Sequence, residues 1–201
     1  MTDAQIEDEV RRLLQTGDVD GATTVALRGY GPEVLGFLVA VAKNEHDARD
    51  AFSELSFDVW KGIERFEGNA SLRTWTYTIA RRALWRVMND PRRRPERNVP
   101  LSEISAVVAE VRESTMTHLR SEVKDGFAQL RAQLPTDEQT LLVLRVDRDL
   151  AWRDIAKVMH EGADELAGSA LEREAAALRK RFERVKTKLR ELGEKAGLAR
   201  R

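Results

Sequence analysis

Apolar residues along this chain recur at the spacing of helices rather than of strands. Sustained alternation of apolar and polar positions, which marks a half-buried strand, is scarce, while the long apolar stripes step by three and four residues. The pattern therefore predicts an all-α fold. The 201 residues are enough for one large domain or two small ones, each with a modest core.

A proline-rich stretch divides the pattern in two. Three of the five prolines lie within residues 91–100, and proline both interrupts a helix and restricts the residue before it. The sequence predicts two small helical domains, at 1–90 and 120–201, joined by a linker at 91–119. Apolar residues between 102 and 119 are spaced for a helix that packs on either domain.

The first domain carries two predicted helices before a turn. One begins at Pro32, which suits the first turn of a helix, and it is apolar nearly all round, so it should be buried. The next spans about 46–66 and has an apolar face with Ala48, Phe52, Leu55, Val59 and Ile63. Its other face is acidic, with Asp47, Asp50, Glu54 and Asp58 beside Phe57 and Lys61. This acidic face is either a solvated surface or a contact for a basic protein.

A turn at Gly68 and Asn69 precedes a third helix over about 72–88, which Ser71 is placed to cap. Two faces are predicted, with Leu72, Trp75, Ile79 and Ala83 on one and Thr74, Tyr77, Arg81 and Trp85 on the other. Rings between arginines on an outer face are typical of single-stranded nucleic-acid binding, because bases stack on the rings while the cations hold phosphates. The alternative is that Trp75 and Tyr77 are core residues.

The second domain has the layout of a helix-turn-helix. Thr136 and Gln139 fit a capping box, and the helix that they start breaks near 147–149. A short helix, WRDIAKVM, follows, and after a polar segment comes a long basic helix with a narrow apolar stripe of Leu178, Phe182, Val185, Leu189 and Leu192. The last helix of such a unit enters a major groove. A basic amphipathic helix is also suited to a membrane surface or an acidic protein.

Charge is segregated along the chain although the formal total is zero. Residues 73–97 hold eight basic and two acidic residues, and residues 175–201 hold ten basic and three acidic residues. The compensating acids lie mainly in residues 1–20 and 43–58. Two basic blocks on separate domains favour two contacts with one polyanion over two merely solvated faces.

Composition excludes several classes of function. There is no cysteine, so disulfides, thiolate metal sites and cysteine nucleophiles are excluded, and the three histidines lie far apart. Gly29 and Gly31 have no strand before them and make a poor phosphate loop. No cofactor, no metal and no enzymatic activity are therefore predicted. There is no run of 18 apolar residues and no signal-peptide core, so we expect a cytoplasmic protein without membrane insertion.

Two stretches of the chain resemble the bacterial sigma-70 family. DARDAFSELSFDVWKGIERFEGNASLRTWTYTIARR resembles region two, and LPTDEQTLLVLRVDRDLAWRDIAKVM followed by LRKRFERVKTKLREL resembles region four. The short two-domain form is similar to the extracytoplasmic-function group. The resemblance implies a promoter-specificity subunit whose partners are core RNA polymerase and promoter DNA, with an anti-sigma factor as a further candidate partner.

The resemblance also implies which residues form the sites. In the family, an acidic helix of region two docks on a coiled coil of the polymerase clamp, and the matching positions are Asp50, Glu54, Phe57 and Asp58. The next loop and helix capture the unpaired −10 strand, and the matching positions are Phe66, Asn69, Ser71, Arg73, Thr74, Trp75, Tyr77, Arg81, Arg82 and Trp85. The last helix reads the −35 duplex, and the matching positions are Arg179, Lys180, Arg181, Arg184 and Lys188.

The chain departs from the family pattern in three places. Arg82 stands where the family usually has Asn, and Ala151 stands where a Ser or Thr usually caps the helix. Residues 160–177 replace a tight turn, and they either extend the recognition helix backwards or form a loop over it. The rival interpretation is a helix-turn-helix regulator that binds duplex DNA without polymerase. An enzyme, or a scaffold that has lost DNA binding, explains fewer of these features.

Overall fold

The structure is a computed structural model that describes residues 1–42, 44–89, 103–122, 126–162 and 166–196. Every regular element in these ranges is a helix, so the predicted all-α fold class is confirmed. The chain divides into two compact units, Met1–Leu119 and Arg120–Arg201. The proline-rich stretch at 91–100 lies outside the described residues.

The first unit is built from the helices α1 (Asp3–Gln15), α2 (Val19–Val41), α3 (Glu45–Gly62), α4 (Leu72–Asn89) and most of α5 (Glu103–Glu122), with a single 3₁₀ turn at Ile63–Arg65. Local chemistry sets where the first three begin. Thr2 and Gln5 form a capping box on α1, and the side chains of Asp18 and Asn44 accept hydrogen bonds from the first turns of α2 and α3.

Helix α2 forms the centre of this unit. Residues 34–38 are all buried, as their apolar pattern predicted. The predicted start at Pro32 is wrong, because α2 runs unbroken from Val19 through this proline. Proline cannot donate to the carbonyl of Arg28, and burial of residues on both sides of it outweighs that loss. α2 has the length and hydropathy of a membrane span, but 56% of that window is buried, as in a core helix.

Helix α5 packs within the first unit. Val107, Val108 and Val111 are 3%, 6% and 4% exposed. A Cβ atom on Gly31 of α2 would lie 3.0 Å from Cγ1 of Val111, so the two helices approach closely there. The sequence leaves open whether the helix predicted between 102 and 119 packs on the first or the second domain, and in the structure it belongs to the first.

The second unit contains α6 (Gly126–Arg131), α7 (Thr136–Leu142), a π-helical turn (Val143–Asp147), α8 (Trp152–Met159) and α9 (Gly168–Lys195). The predicted capping box is wrong, because Thr136 is already helical and Pro135 precedes the helix. The Gln139 amide instead donates to the Leu134 carbonyl at 2.7 Å. The predicted break is present, and Asp149 within it has a φ of 48°.

Helix α9 begins at Gly168, ten residues before the apolar stripe read from the sequence. Residues 168–177 therefore extend the last helix backwards, one of the two outcomes left open by the sequence. The stripe extends with them, because Leu171 and Ala175 are buried at the same three-and-four spacing. The short helix α8 lies where it was predicted, and Ala151 precedes it without a side-chain cap.

Candidate partner and nucleic-acid interfaces

The acidic side of α3 is only partly open to solvent. The Glu54 and Asp58 side chains are 16% and 30% exposed, because Arg86 of α4 binds both. Its Nε donates to Glu54 Oε2 at 3.0 Å and its Nη2 donates to Asp58. Burial lowers the pKa of Arg86, but its hydrogen bonds and the two carboxylate charges outweigh burial, so the net shift is upward. Of the two interpretations left open for this face, a freely solvated surface does not describe these two carboxylates, because both bind Arg86.

Asp50 lies at the start of the same face and is also partly covered. Its carboxylate is 19% exposed and sits 3.3 Å from Nε2 of His46. Burial raises the pKa of Asp50, while the charges of His46 and Arg112 act in the opposite direction. Arg112 belongs to α5, and its Nη1 donates to the Ser53 hydroxyl at 3.3 Å.

Phe57, the remaining predicted docking residue, is half-buried at the far end of the face. The Lys61 ammonium lies 5.6 Å from the centre of its ring, and the Trp60 ring lies 6.0 Å away. Trp60 is held in turn, because its indole donates to Asp20 at 2.8 Å. All four predicted docking residues thus lie beside a basic side chain of this chain.

The loop before α4 is fixed from both sides. The Ser71 hydroxyl accepts from the Thr74 N–H at 3.0 Å, which confirms the predicted cap, and Glu7 of α1 accepts from the Leu72 N–H at 2.7 Å. Phe66 packs on Trp75 with ring centres 5.3 Å apart. The loop and α1 enclose an open cleft of about 200 Å³.

The core side of α4 is broader than the sequence predicted. Thr74 and Tyr77 are 3% and 0% exposed, and Tyr77 meets Phe37 edge-to-face with ring centres 5.5 Å apart. The prediction that both lie on an outer face is wrong, because α4 is covered by α2 as well as by α3, and the alternative that Tyr77 is a core residue is confirmed. A buried ring cannot stack with a base unless the core opens.

Arg73 is also held inside the first unit. It donates two hydrogen bonds to Glu33 of α2, at 2.8 and 2.9 Å, and is 24% exposed. These bonds raise its pKa further above the ordinary value. A guanidinium held in this bidentate way joins α2 to α4 and is poorly placed to bind a phosphate.

The open part of the predicted −10 surface lies on the loop and on the second half of α4. Trp85 is 63% exposed and Arg82 is exposed one turn before it. Arg81 is half-buried, and Asn69 and Ser71 are exposed on the loop. Trp75 is half-buried, with Gly62 close beneath its ring, where a Cβ would lie 3.2 Å away. The geometry thus concentrates the surface available to DNA around Arg82 and Trp85.

The predicted −35 residues lie on the outer side of α9. Arg179, Lys180 and Arg184 are exposed, and Arg181 is half-buried. Lys188 is 44% exposed and forms an ion pair with Glu138 of α7 at 3.0 Å. A single apolar stripe holds the helix, so most of its cations face solvent.

Sequence reasoning missed several residues that shape these surfaces. Trp152 has Arg145 and Arg179 at 5.2 and 5.6 Å from its ring and meets Phe182 edge-to-face at 5.4 Å. The Trp152 ring thereby positions Arg179, one of the predicted DNA contacts. Arg86 was missed as well, because its partners are 28 and 32 residues away and no local spacing signals such a pair.

No group of three or more His, Asp or Glu side chains suited to a metal ion is found in the part of the chain that the structure describes. The two surfaces present rings, cations and carboxylates. In the first unit, the exposed Trp85 and Arg82 stand on α4, next to the carboxylates of α3. In the second unit, an array of cations stands on α9, the last helix, which follows the short helix α8.

Comparison with known proteins agrees with this arrangement. Residues 26–94 match the family described as Sigma-70 region 2. The chain is 28% identical over 169 residues to the RNA polymerase sigma-H factor of Pseudomonas aeruginosa, covering 79% of this chain and 84% of that protein. It is also 28% identical over 170 residues to the ECF RNA polymerase sigma-E factor of Haemophilus influenzae, covering 79% and 84%.

A third relative is the RNA polymerase sigma factor YlaC of Bacillus subtilis, 25% identical over 134 residues, which covers 66% of this chain and 76% of that protein. The region-two match spans α3, the loop and α4, which together carry the acidic face and the exposed Arg82 and Trp85. The two longer alignments extend well beyond this match. The match to region two and the three sigma-factor relatives, one of them named as an ECF factor, together support a sigma-70 family factor of the extracytoplasmic-function group.

Proposed function

We propose that this chain directs transcription initiation as a sigma factor, with its first unit holding melted −10 DNA and its second unit reading −35 duplex. Sigma factors are generally non-enzymatic regulators of transcription that work with core RNA polymerase at promoter DNA. The observation that carries the finer proposal is the exposed pair Arg82 and Trp85 on α4, beside the carboxylates of α3.

In the first unit, Trp85 supplies a ring on which an unpaired base stacks, and Arg82 supplies charge for the phosphates. Base stacking on an aromatic ring contributes ~1–3 kcal/mol, and it needs a base that has left the duplex. The loop at 66–71 lies at the other end of α4, where Ser71 and Glu7 hold it in one conformation. This end of the surface is formed by Phe66 and Asn69 on the loop and by Trp75 on α4.

In the second unit, Arg179, Lys180 and Arg184 meet the −35 duplex along the outer side of α9. Lys188 and Arg181 contribute from positions that the protein partly covers. Cations that contact phosphates strengthen binding to all sequences, whereas an arginine that contacts a base edge also changes sequence preference.

Polymerase docks on α3 through Asp50, Glu54, Phe57 and Asp58. Because Arg86 already binds Glu54 and Asp58, a basic partner shares these carboxylates with α4. The docking surface and the DNA-binding helix are therefore joined by one ion-pair cluster. An anti-sigma factor stays a prediction from the family resemblance.

The test is in-vitro transcription with core polymerase, together with binding of the holoenzyme to fully duplex and to pre-melted, fork-shaped promoters. Trp85→Ala should impair binding and open-complex formation, and pre-melting should partly rescue it. Arg184→Ala should weaken promoter binding by ~1–3 kcal/mol on both templates, because it acts on duplex DNA. Arg12→Ala on α1, an exposed arginine outside both surfaces, is the matched control and should behave as wild type.

Two results would contradict the proposal. Tight, sequence-specific duplex binding by the chain alone, with no stimulation of core polymerase, would favour the polymerase-independent regulator. Equal rescue of both variants by pre-melting would mean that the two units do not divide the promoter as proposed.

A further inference from the structure

Helix α5 covers the start of the α3 face that carries the proposed docking residues. The Arg112 guanidinium donates to the Ser53 hydroxyl, and Ser53 lies between Asp50 and Glu54 on α3. Arg112 and Asp50 are close enough for their charges to interact. A basic residue from α5 thus occupies the place beside Asp50 that a basic partner would need.

The apolar side of α5 is what holds it there. Val107, Val108, Val111 and Met116 are buried, while Ala109 and other residues of the opposite side are exposed. Val111 enters a gap over α2 that exists because residue 31 is glycine. We call the surface formed by Gly31, Asp50 and Ser53 the α5 seat. Because α5 occupies this seat, the seat accepts an amphipathic helix that carries small apolar residues and an arginine.

Two of the polar contacts of α5 with the first unit are weak. Burial and the nearby Arg49 lower the pKa of Arg112, and the direct hydrogen bond it makes on α3 goes to a neutral hydroxyl. The side chains of an ion pair between α2 and α5, from Arg28 to Glu110 at 3.1 Å, are 57% and 61% exposed. Such exposed pairs contribute little to stability. The buried valines supply an apolar contact that a competing amphipathic helix can replace.

We propose that α5 is the chain's own occupant of the polymerase-docking surface, and that α5 and a basic amphipathic helix of core polymerase bind the α5 seat in mutually exclusive fashion. The free protein is then partly self-blocked, and polymerase binding includes the release of α5. This inference rests on the proposed function, because it identifies the competing helix as one belonging to core polymerase.

A reversible disulfide provides the sharpest test. A Cβ on Gly31 would lie 3.0 and 3.7 Å from the two methyl carbons of Val111, which places the two Cβ atoms within the roughly 3.5–4.5 Å typical of a disulfide. The chain has no cysteine of its own, so Gly31→Cys with Val111→Cys forms one defined bridge. Oxidised protein should lose detectable binding to core polymerase, and reduction of the same sample should restore it. Each single variant, treated with the same oxidant, is the control.

A second pair of variants tests the release of α5 without a cross-link. Val111→Glu places a charge on the buried side and should expel α5, whereas Ala109→Glu places the same charge on the exposed side. If α5 leaves its seat about one time in ten in the wild type, Val111→Glu should bind core polymerase roughly tenfold more tightly than Ala109→Glu. Affinities are measured by fluorescence anisotropy of labelled full-length protein, and circular dichroism checks the fold of every variant.

Each remaining outcome bears on one of the two proposals. Oxidised protein that binds core polymerase as tightly as reduced protein overturns the inference about α5, and so does a Val111→Glu variant that binds no more tightly than Ala109→Glu. If neither wild type nor any variant binds core polymerase, the proposed function fails, and the inference fails with it.

Discussion

Helices α4 and α9 both carry several arginines, and the sequence predicts DNA contacts for both, but they expose these side chains differently. On α4, Arg73 binds Glu33 and Arg86 binds the α3 carboxylates, so part of its positive charge is neutralised within the protein. On α9, Lys180 and Arg184 stand open to solvent. The positive charge counted in sequence therefore overstates what α4 offers to DNA.

The difference follows from how many neighbours each helix has. α4 lies against both α2 and α3, so two of its sides are buried and some of its polar residues must find partners inside the unit. α9 packs through one stripe that repeats every three or four residues, which leaves most of its circumference to solvent. Matched substitutions on the two helices should separate residues that serve the fold from residues available to DNA.

The largest effect is expected from the aromatic residues of α4. Tyr77→Ala should lower the free energy of unfolding by about 3–5 kcal/mol, because it removes a fully buried ring. Trp85→Ala should change it by no more than ~0.5 kcal/mol, because that ring is 63% exposed. Urea unfolding followed by circular dichroism measures both. Equal losses of stability would mean that Trp85 also serves the core.

A smaller effect is expected from the arginines of α4. Arg73→Ala should cost about 2 kcal/mol of stability, because the half-buried Glu33 carboxylate loses two charge-assisted hydrogen bonds. Arg82→Ala should cost at most ~0.5 kcal/mol but should weaken binding to fork-shaped DNA. Arg73→Lys should restore only part of the loss, since an ammonium lacks the bidentate geometry. Full recovery with lysine would show that charge alone matters at this position.

Within α9, the expected effects on stability are smaller still. Lys188→Ala should cost up to about 1 kcal/mol, because its ion pair with Glu138 is partly exposed, and Arg184→Ala should cost about half as much or less. The cost at Lys188 should shrink in high salt, because screening weakens such pairs. Unfolding curves at two salt concentrations test this. A cost at Lys188 that does not change with salt would indicate packing rather than charge.

The smallest effect concerns the pH dependence of Asp50. Burial raises its pKa in the folded protein, so the proton is bound more tightly there than in the unfolded chain. The stability that this group contributes is present below the unfolded pKa of about 3.9 and is lost as pH rises through the folded pKa. Asp50→Asn removes this titration, so the stability of the variant relative to wild type should rise across that range. A difference that stays constant with pH would contradict the shift.

The sequence predicts best the faces that depend on local spacing. The apolar face of α3 is confirmed, with Phe52, Leu55 and Val59 fully buried, because one helical period decides it. Tyr77 was misplaced, because α4 has a second buried side that only the neighbouring α2 creates. The ion pairs of Arg73 and Arg86 could not be predicted for the same reason, because their carboxylate partners lie far away in the sequence. The periodicity of apolar residues therefore does not predict contacts that depend on tertiary neighbours.

The start of α8 is a feature that local chemistry does predict, because the sequence already shows that Ala151 cannot cap the helix. Ala151 occupies the capping position with extended backbone angles and contributes no side-chain hydrogen bond. A serine hydroxyl there could accept from an N–H of the first turn, so Ala151→Ser should stabilise the second unit by roughly 0.5–1 kcal/mol. Thermal unfolding of the full chain measures the gain.

The length of α9 constrains how it can meet a duplex. Its 28 residues span about 42 Å, several times the ~12 Å width of a major groove. The proposed contacts start at Arg179, about 17 Å from the first turn at Gly168. With its contacts at the middle, α9 would lie along the duplex and would not insert its N-terminal end into the groove. Glu172 on the leading end is paired with Arg153 at 3.1 Å and Glu174 is exposed, so this end offers a duplex less positive charge than the middle of the helix does.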